Sequence, residues 1–379
     1  MKKLFALALA LLLLALAACG ANEAGTASPG AGTEASPAGP EESPRTAVRF
    51  QTLTKAAKCE TGDLYTYSYP ALELNTGSQS GPALSRALNG ALTPSEDTLS
   101  EVDSAARAAY EALDEAGRLD WMGVGYGFQR RAELMRCDGR VLSLLVSDSS
   151  SLGGPHPAGS GFGLSCDFAS GELLSAEDIA SDPAALAEKV ERYVLDSAAE
   201  NPNASAFYDL AAFAESALGE GRWYFADDGL AVFAAPEEIA PYAVGSVVFV
   251  IPYSELDGLL KPEYLPASSP KGGPGALSIG AGIEGAALSA VLDEGGVEFS
   301  LTASEEVTDI CVRRVAIDTD GSFYPQQTVL YLSLLSAGES LGLTAAFMDS
   351  PLYSVSWGAG ETRLIADSGK DGSLLLLEP

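Results

Sequence analysis

Residues 239–260, IAPYAVGSVVFVIPYSELDGLL, constrain this chain more than any other stretch. At their centre, residues 247–251 form an unbroken β-branched and aromatic run that Pro252 stops. So short a run between turn residues reads as a strand buried on both faces rather than a helix. Pro241 and Gly245 shape the turn before it, and Ser254-Glu255-Leu256 opens a short helix after it. Well upstream, Gly153-Gly154-Pro155-His156-Pro157 contains the only histidine of the protein.

The chain begins with a leader. Lys2 and Lys3 precede an apolar run that ends in Leu16-Ala17-Ala18-Cys19. Charged start, short apolar core and small residues are the marks of a secretory signal, too short for a separate membrane span. The cysteine after small residues resembles the bacterial lipobox. That resemblance implies cleavage after residue 18 and lipidation of Cys19, which would hold the protein on the outer face of a bacterial cell membrane. Several acyl chains anchor stably where one does not. Residues 19–45, rich in Gly, Ala, Ser, Pro and Glu, read as a tether. No later stretch has membrane length, so the lipid is the only expected contact with the bilayer.

A formal charge of −30 disfavours nucleic acid and anionic lipid surfaces, and it suits a cationic partner. Apart from Cys19 there are four cysteines, enough for two disulfides in an exported protein. Cys137 and Cys166 flank the 153–157 turn, which suggests a bridge across a hairpin and leaves Cys59 to pair with Cys311. No cysteine or histidine spacing fits a zinc site, and no cofactor is expected.

In order along the chain, residues 46–150 read as an α+β module. Its features are a strand over 65–74, a helix over 82–92 and a second helix. The second helix is capped by Thr93-Pro94-Ser95-Glu96, carries an apolar stripe of Leu99, Val102, Ala106, Tyr110 and Leu113, and ends at Gly117. Strands over 125–137 and 141–147 meet at Asp138-Gly139, a strong hairpin signal. Residues 151–262 add a strand over 161–168, a helix capped by Asp182-Pro183, a helix over 207–218 and a hairpin about Asp227-Asp228-Gly229. Residues 263–275 read as a linker. Beyond it, residues 276–379 show short apolar strands between turn signals, the pattern of a small all-β domain. The fold class expected is therefore α+β, an antiparallel sheet with packed helices followed by an all-β region.

Two motifs carry a family resemblance. The Gly153–Pro157 turn resembles a GGAHP-type turn, and residues 239–245 with 251–256 resemble the IAPYAxG…IPYSEL ending of RsiV-type extracellular domains. Tyr69-Pro70-Ala71-Leu72 followed by Leu88-Asn89 is similar to the module that precedes that domain and that also occurs in PdaC-type wall deacetylases. The resemblance spans residues 60–262. It implies an extracytoplasmic α+β domain without chemistry of its own, which in its best-understood member binds lysozyme as the sensing half of an anti-sigma factor. Neither the cytoplasmic segment nor the membrane helix of that architecture is expected from these residues.

The candidate contact residues are Gly154, His156, Pro157, Pro241, Tyr242 and Tyr253. A tyrosine on a rigid proline-containing loop offers contact area at low entropic cost. One histidine without a nucleophile-elbow pattern does not make a triad, nor can it supply the two histidines of a deacetylase zinc site. Gly123, Gly125 and Gly127 fall in strand, where a phosphate loop would need a strand-to-helix turn. Asp318-Thr319-Asp320-Gly321 and residues 367–372 read as hairpin turns, lacking the full ligand alternation of calcium loops. The expected function is non-enzymatic binding of an extracytoplasmic partner, lysozyme or another cationic wall-directed protein. The alternative is an enzyme, or enzyme accessory, acting on peptidoglycan or another glycan.

Overall fold

The computed structural model describes residues 45–76, 81–202, 204–266, 270–317, 323–347, 352–358, 360–367 and 373–378. The leader, Cys19 and nearly all of the expected tether lie outside these residues, as do Asp318 to Gly321 and residues 368–372. No helix among the described residues is long and apolar enough to cross a membrane.

The chain opens with a long hairpin of β1 (Ala47–Lys58) and β2 (Asp63–Asn75). Helices α1 (Gly81–Leu92), α2 (Glu96–Glu111) and α3 (Glu115–Leu119) follow. Next come strands β3 (Tyr126–Cys137), β4 (Val141–Leu152), β5 (Ala158–Asp167) and the short β6 (Glu172–Leu173). Helices α4 (Ala176–Ile179), α5 (Pro183–Glu200) and α6 (Leu210–Glu215) lead to β7 (Trp223–Phe225), β8 (Gly229–Ala234) and β9 (Val247–Pro252). From there the described chain is nearly all strand. It runs through β10 (Leu277–Ala281), β11 (Leu288–Val291), β12 (Val297–Ala303), β13 (Val307–Ile317) and β14 (Phe323–Leu335). It closes with β15 (Ser340–Ala345), β16 (Leu352–Trp357), β17 (Glu361–Asp367) and β18 (Leu374–Leu377).

The α+β class holds, but its parts are joined differently from the sequence reading. One 11-stranded sheet, in the order β18-β17-β16-β13-β14-β1-β2-β3-β4-β5-β6, runs through both halves. The segment expected to be a linker therefore does not separate two sheets. The boundary expected at residue 150 falls inside β4. The join is β1, which the sequence reading missed. Only Ala47, Val48 and Arg49 pair with β14, while only Thr66, Ser68 and Tyr67 of β2 pair with β3, in parallel. The β1–β2 hairpin thus bridges the halves from its two opposite ends.

Each half adds a layer. A four-stranded sheet, β10-β12-β15-β11, packs its apolar face (Phe299, Leu301, Leu341, Leu343) on Ile310, Val312, Leu332 and Tyr353 of the main sheet. This is the all-β region, built as a sandwich that borrows half its wall from the shared sheet. In the other half, Leu84, Leu88 and Leu92 of α1 cover Val48, Phe50, Leu72 and Leu144. On the reverse face lies the three-stranded sheet β7-β8-β9. Its Tyr224, Ala231 and Phe233 face Met135 and Leu145, and its Trp223, Phe225, Leu230 and Val232 face Leu186, Val190 and Val194 of α5.

That layering corrects the reading of residues 247–251. The strand buried on both faces is β8, every residue of which is buried, and β9 is the edge beside it. In β9 only Phe249 and Ile251 are fully buried, and Val248 is exposed. The short helix expected after Pro252 is present as a 3-10 helix, Tyr253–Glu255. Local caps explain the helix starts. The Asp182 side chain accepts from the Ala184 and Ala185 amides at 3.1 Å each, with Pro183 at the first helical position. The cap of α2 is Ser95, not Thr93, and that helix ends at Glu111 before Gly117. Gly163 lets β5 approach β7 closely, since a Cβ there would stand 1.9 Å from the Trp223 carbonyl oxygen.

The expected disulfides are not formed; Cys59, Cys137, Cys166 and Cys311 are all free thiols. Cys137 pairs across the sheet with Leu142, and Leu142 with Cys166, so β4 stands between the two cysteines. Two strand spacings put their Cα atoms about 9–10 Å apart, beyond the roughly 7 Å a bridge can span. Cys311 is buried in the same core as Cys137 and Cys166, whereas Cys59 packs against the Leu64–Tyr110 cluster.

Candidate functional site

The two motif loops meet. Residues 153–157 join β4 to β5, and the turn is set by Gly153, which has φ 80° and donates its N–H to Gly125 O at 2.9 Å. A side chain there would collide with Tyr126, its Cβ lying 2.5 Å from the hydroxyl oxygen. The second loop leads into β9 through a 3-10 turn, Tyr242–Val244, closed by Gly245 at φ 75°. From below, the Tyr208 hydroxyl lies 2.8 Å from both the Glu237 and Ala240 carbonyl oxygens, which fixes the approach to Pro241.

Where the loops meet, the rings of His156 and Tyr242 lie 4.3 Å apart at 31°. The Tyr242 hydroxyl donates to Pro157 O at 3.3 Å. Gly154, His156, Pro157, Pro241 and Tyr242 are all exposed, so five of the six candidate contact residues form one ledge.

Tyr253 does not join them. At the other end of β9 its hydroxyl donates to Ala226 O and accepts from Arg136 Nη1, both at 2.7 Å. Burial pushes its pKa up to about 12. Its role is to close the strand end.

Sequence reasoning missed a neighbouring apolar loop. Leu119, Met122 and Val124 are 70%, 82% and 81% exposed. The Gly153–Gly125 hydrogen bond places Val124 beside the ledge. Three exposed apolar residues within six positions are the signal that was available. No lysine or arginine occurs in residues 119–126, 153–160 or 236–248, while Asp120 and Glu237 are exposed. The surface is therefore aromatic and apolar with an acidic margin. Aromatic faces and acids together suit a partner that brings apolar groups and cations.

Also unforeseen is a cavity of about 580 Å³ beneath the β7–β8 turn, lined among others by Arg136, Asp138, Asp227, Asp309, Arg313 and Tyr331. A β-bulge in β3 at Met135 shifts the register and brings Arg136 to face Phe225 of β7. Arg136 uses four of its five donors. Its Nε and Nη2 donate to Asp138 Oδ2 at 2.8 and 2.6 Å, and Nη1 donates to the Tyr253 hydroxyl and to Tyr264 O. Asp309 sits within β13 at φ 56°, a conformation uncommon for any residue but glycine. Asp227 is accessible from the solvent, yet the surrounding walls and the nearby Asp309 raise its pKa. Among the described residues no group of three or more His, Cys, Asp or Glu side chains is placed to hold a metal.

The fold defines a class: an α+β protein, mostly strand with few helices, built on several sheets without a barrel. Within it, residues 177–254 match the model of DUF3298, described as a protein family of unknown function, so the chain carries a DUF3298 domain. Two solved structures are similar. One is a DUF3298 family member from Bacteroides fragilis, with 14% identity, 57% of this chain and 94% of that one covered, and a TM-score of 0.40. The other is a DUF3298 family protein from Pseudomonas aeruginosa, with 18% identity, coverage of 58% and 97%, and a TM-score of 0.38. No curated protein matches the chain.

Proposed function

We propose that this protein is a lipid-anchored, extracytoplasmic binding protein of RsiV type, without catalysis of its own. Its partner is a cationic wall-directed protein such as lysozyme, which docks on the His156–Tyr242 ledge. The observation that carries the reading is the convergence of two loops far apart in sequence into one exposed aromatic surface. The adjoining Leu119–Val124 loop and the chain's −30 charge agree with it. Charge of this sign speeds encounter with a basic partner, and aromatic anchors supply the affinity once it is seated.

The test is retention of lysozyme at physiological salt by the mature protein, with cytochrome c as a basic control. Retention above the control that is lost in Tyr242→Ala supports the reading; equal retention of both proteins ends it. Membrane anchoring is tested separately, by fractionation of a Cys19→Ser variant, which should leave the membrane.

The second reading, an enzyme or accessory acting on wall glycan, draws on one observation: an aspartate of raised pKa in a cavity, Asp227 near Asp309. Release of reducing ends or acetate from purified walls, abolished by Asp227→Asn, would support it.

A further inference from the structure

The cavity beneath the β7–β8 turn holds charges of both signs that do not neutralise one another. Asp227 makes no ion pair or hydrogen bond among the described residues. Among the described residues Asp309 meets only hydroxyls: Thr308 Oγ1 donates to it at 2.7 Å, and Tyr331 Oη, whose single proton is shared with the Cys137 carbonyl, lies 2.9 Å away. Arg313 donates from Nη1 to Ser356 Oγ at 2.8 Å and has no carboxylate partner among the described residues. Arg136, by contrast, is engaged with Asp138, Tyr253 and Tyr264. Two carboxylates and one guanidinium thus line one space, close enough to influence each other and too far apart to pair. The titration of Asp227 agrees: burial and Asp309 raise it, while Arg313 and Arg136 lower it.

We infer that this cavity binds a small zwitterion, an amino acid or short peptide, with its ammonium between Asp227 and Asp309 and its carboxylate on Arg313. Charges held apart in a partly desolvated space are costly, and a ligand bearing both complements relieves both at once. A simple cation would leave Arg313 without a counter-charge, and a simple anion would leave the two aspartates without one. The volume of about 580 Å³ falls within the range of small-ligand sites and leaves room for more than one residue. The Met135, Pro266 and Pro270 lining supplies apolar wall for side chains of the ligand.

Calorimetric titration of the mature protein with L-alanyl-L-alanine and D-alanyl-D-alanine tests this, with ethylamine and acetate as single-charge probes. At least one dipeptide should bind, at least tenfold more tightly than either single-charge probe. Asp227→Asn and Arg313→Gln should each weaken it tenfold or more, and Arg313→Lys should recover part of the loss. Asp227 lies at a solvent-accessible turn, so its variant should fold normally, which a thermal melt checks. Absence of binding by both dipeptides overturns the inference. So does dipeptide binding that survives both variants, or ethylamine binding as tightly as the dipeptides.

Discussion

The Tyr331 hydroxyl hydrogen-bonds the backbone carbonyl of Cys137, 194 positions away in the chain. The strands concerned, β14 and β3, are not neighbours in the sheet, because β1 and β2 stand between them. Beyond Ser68, β3 no longer pairs with β2, and at its Cys137 end one buried side chain from β14 reaches it. Tyr331→Phe should leave the Cys137 carbonyl without this donor in a water-poor site. The expected cost is about 1–3 kcal/mol of unfolding free energy, read from urea denaturation. An unchanged midpoint would mean that this hydrogen bond adds nothing to β1 pairing and the shared apolar core in holding the two halves.

Among the described residues the most buried ion pair lies in the N-terminal half. Arg130 and Asp148 side chains are 7% and 9% exposed and meet through two bonds of 2.7 Å, Nε to Oδ1 and Nη2 to Oδ2. Arg130 Nη1 also donates to the Ala91 and Leu92 carbonyls at the end of α1, which the helix itself leaves unsatisfied. Arg130→Met should strand a buried carboxylate and two helix-end carbonyls. A loss of about 3–5 kcal/mol is expected in the same denaturation experiment.

Legibility in the sequence followed the range of the interaction. The Asp182-Pro183 cap of α5, the Asp138-Gly139 hairpin and the exposed 153–157 and 241–242 loops rest on local chemistry, and each was readable. Strand β1 was not. Its alternation is clear only at Val48 and Phe50, and its importance lies in pairing with β14, which no local pattern reports. Likewise, an apolar run shows that a segment is buried without showing which strand is central, so the sequence points to β9 where the structure buries β8 on both faces. The cavity assembles Arg136, Asp227 and Arg313 from three distant strands and turns, and nothing near any of them marks it.

The thiols offer a direct check on sheet order. Cys137, Cys166 and Cys311 are buried, and burial raises the pKa of each, so none should react readily. Cys59 is half-buried; desolvation raises its pKa, but hydrogen bonds to Thr61 and Gly62 together outweigh that and lower it. Iodoacetamide labelling of the native protein, followed by peptide mapping, should modify Cys59 first and leave the other three for the denatured state. Reductant should leave the melting temperature unchanged. A fall on reduction would reveal a disulfide.

Two aspartates should respond to pH with opposite signs. Burial pushes Asp293 up, but the Tyr353 hydroxyl, the Ala346 N–H and Arg314 together hold it below the usual range. Its stabilising contribution is therefore present above the unfolded carboxylate pKa of about 3.9 and lost as pH falls through the folded value. Asp293→Asn should be less stable at pH 7, with the gap closing in acid. Asp227 is raised by burial and by Asp309, so its ionisation opposes folding. Asp227→Asn should match the parent in acid and be at least as stable at pH 7. Thermal melts of both variants from pH 3 to 8 would show whether the two gaps open in opposite directions.

Tyr242 and Tyr253 flank the same strand, each beside a proline, and the sequence leans only slightly toward Tyr253 as the core residue. Their surroundings separate them. Tyr242 is 37% exposed and rests on His156, with a 3.3 Å hydrogen bond at the surface. Tyr253 accepts from a buried guanidinium and donates to a backbone carbonyl. Truncating an exposed side chain away from special contacts changes stability by about 0.5 kcal/mol or less. Removing a hydroxyl that satisfies a buried charged group costs about 1–3 kcal/mol. Tyr242→Ala should therefore unfold with the parent and lose partner retention, whereas Tyr253→Phe should be destabilised and retain the partner fully. If Tyr253→Phe releases lysozyme while remaining folded, or Tyr242→Ala retains it, the docking surface lies at the other end of β9.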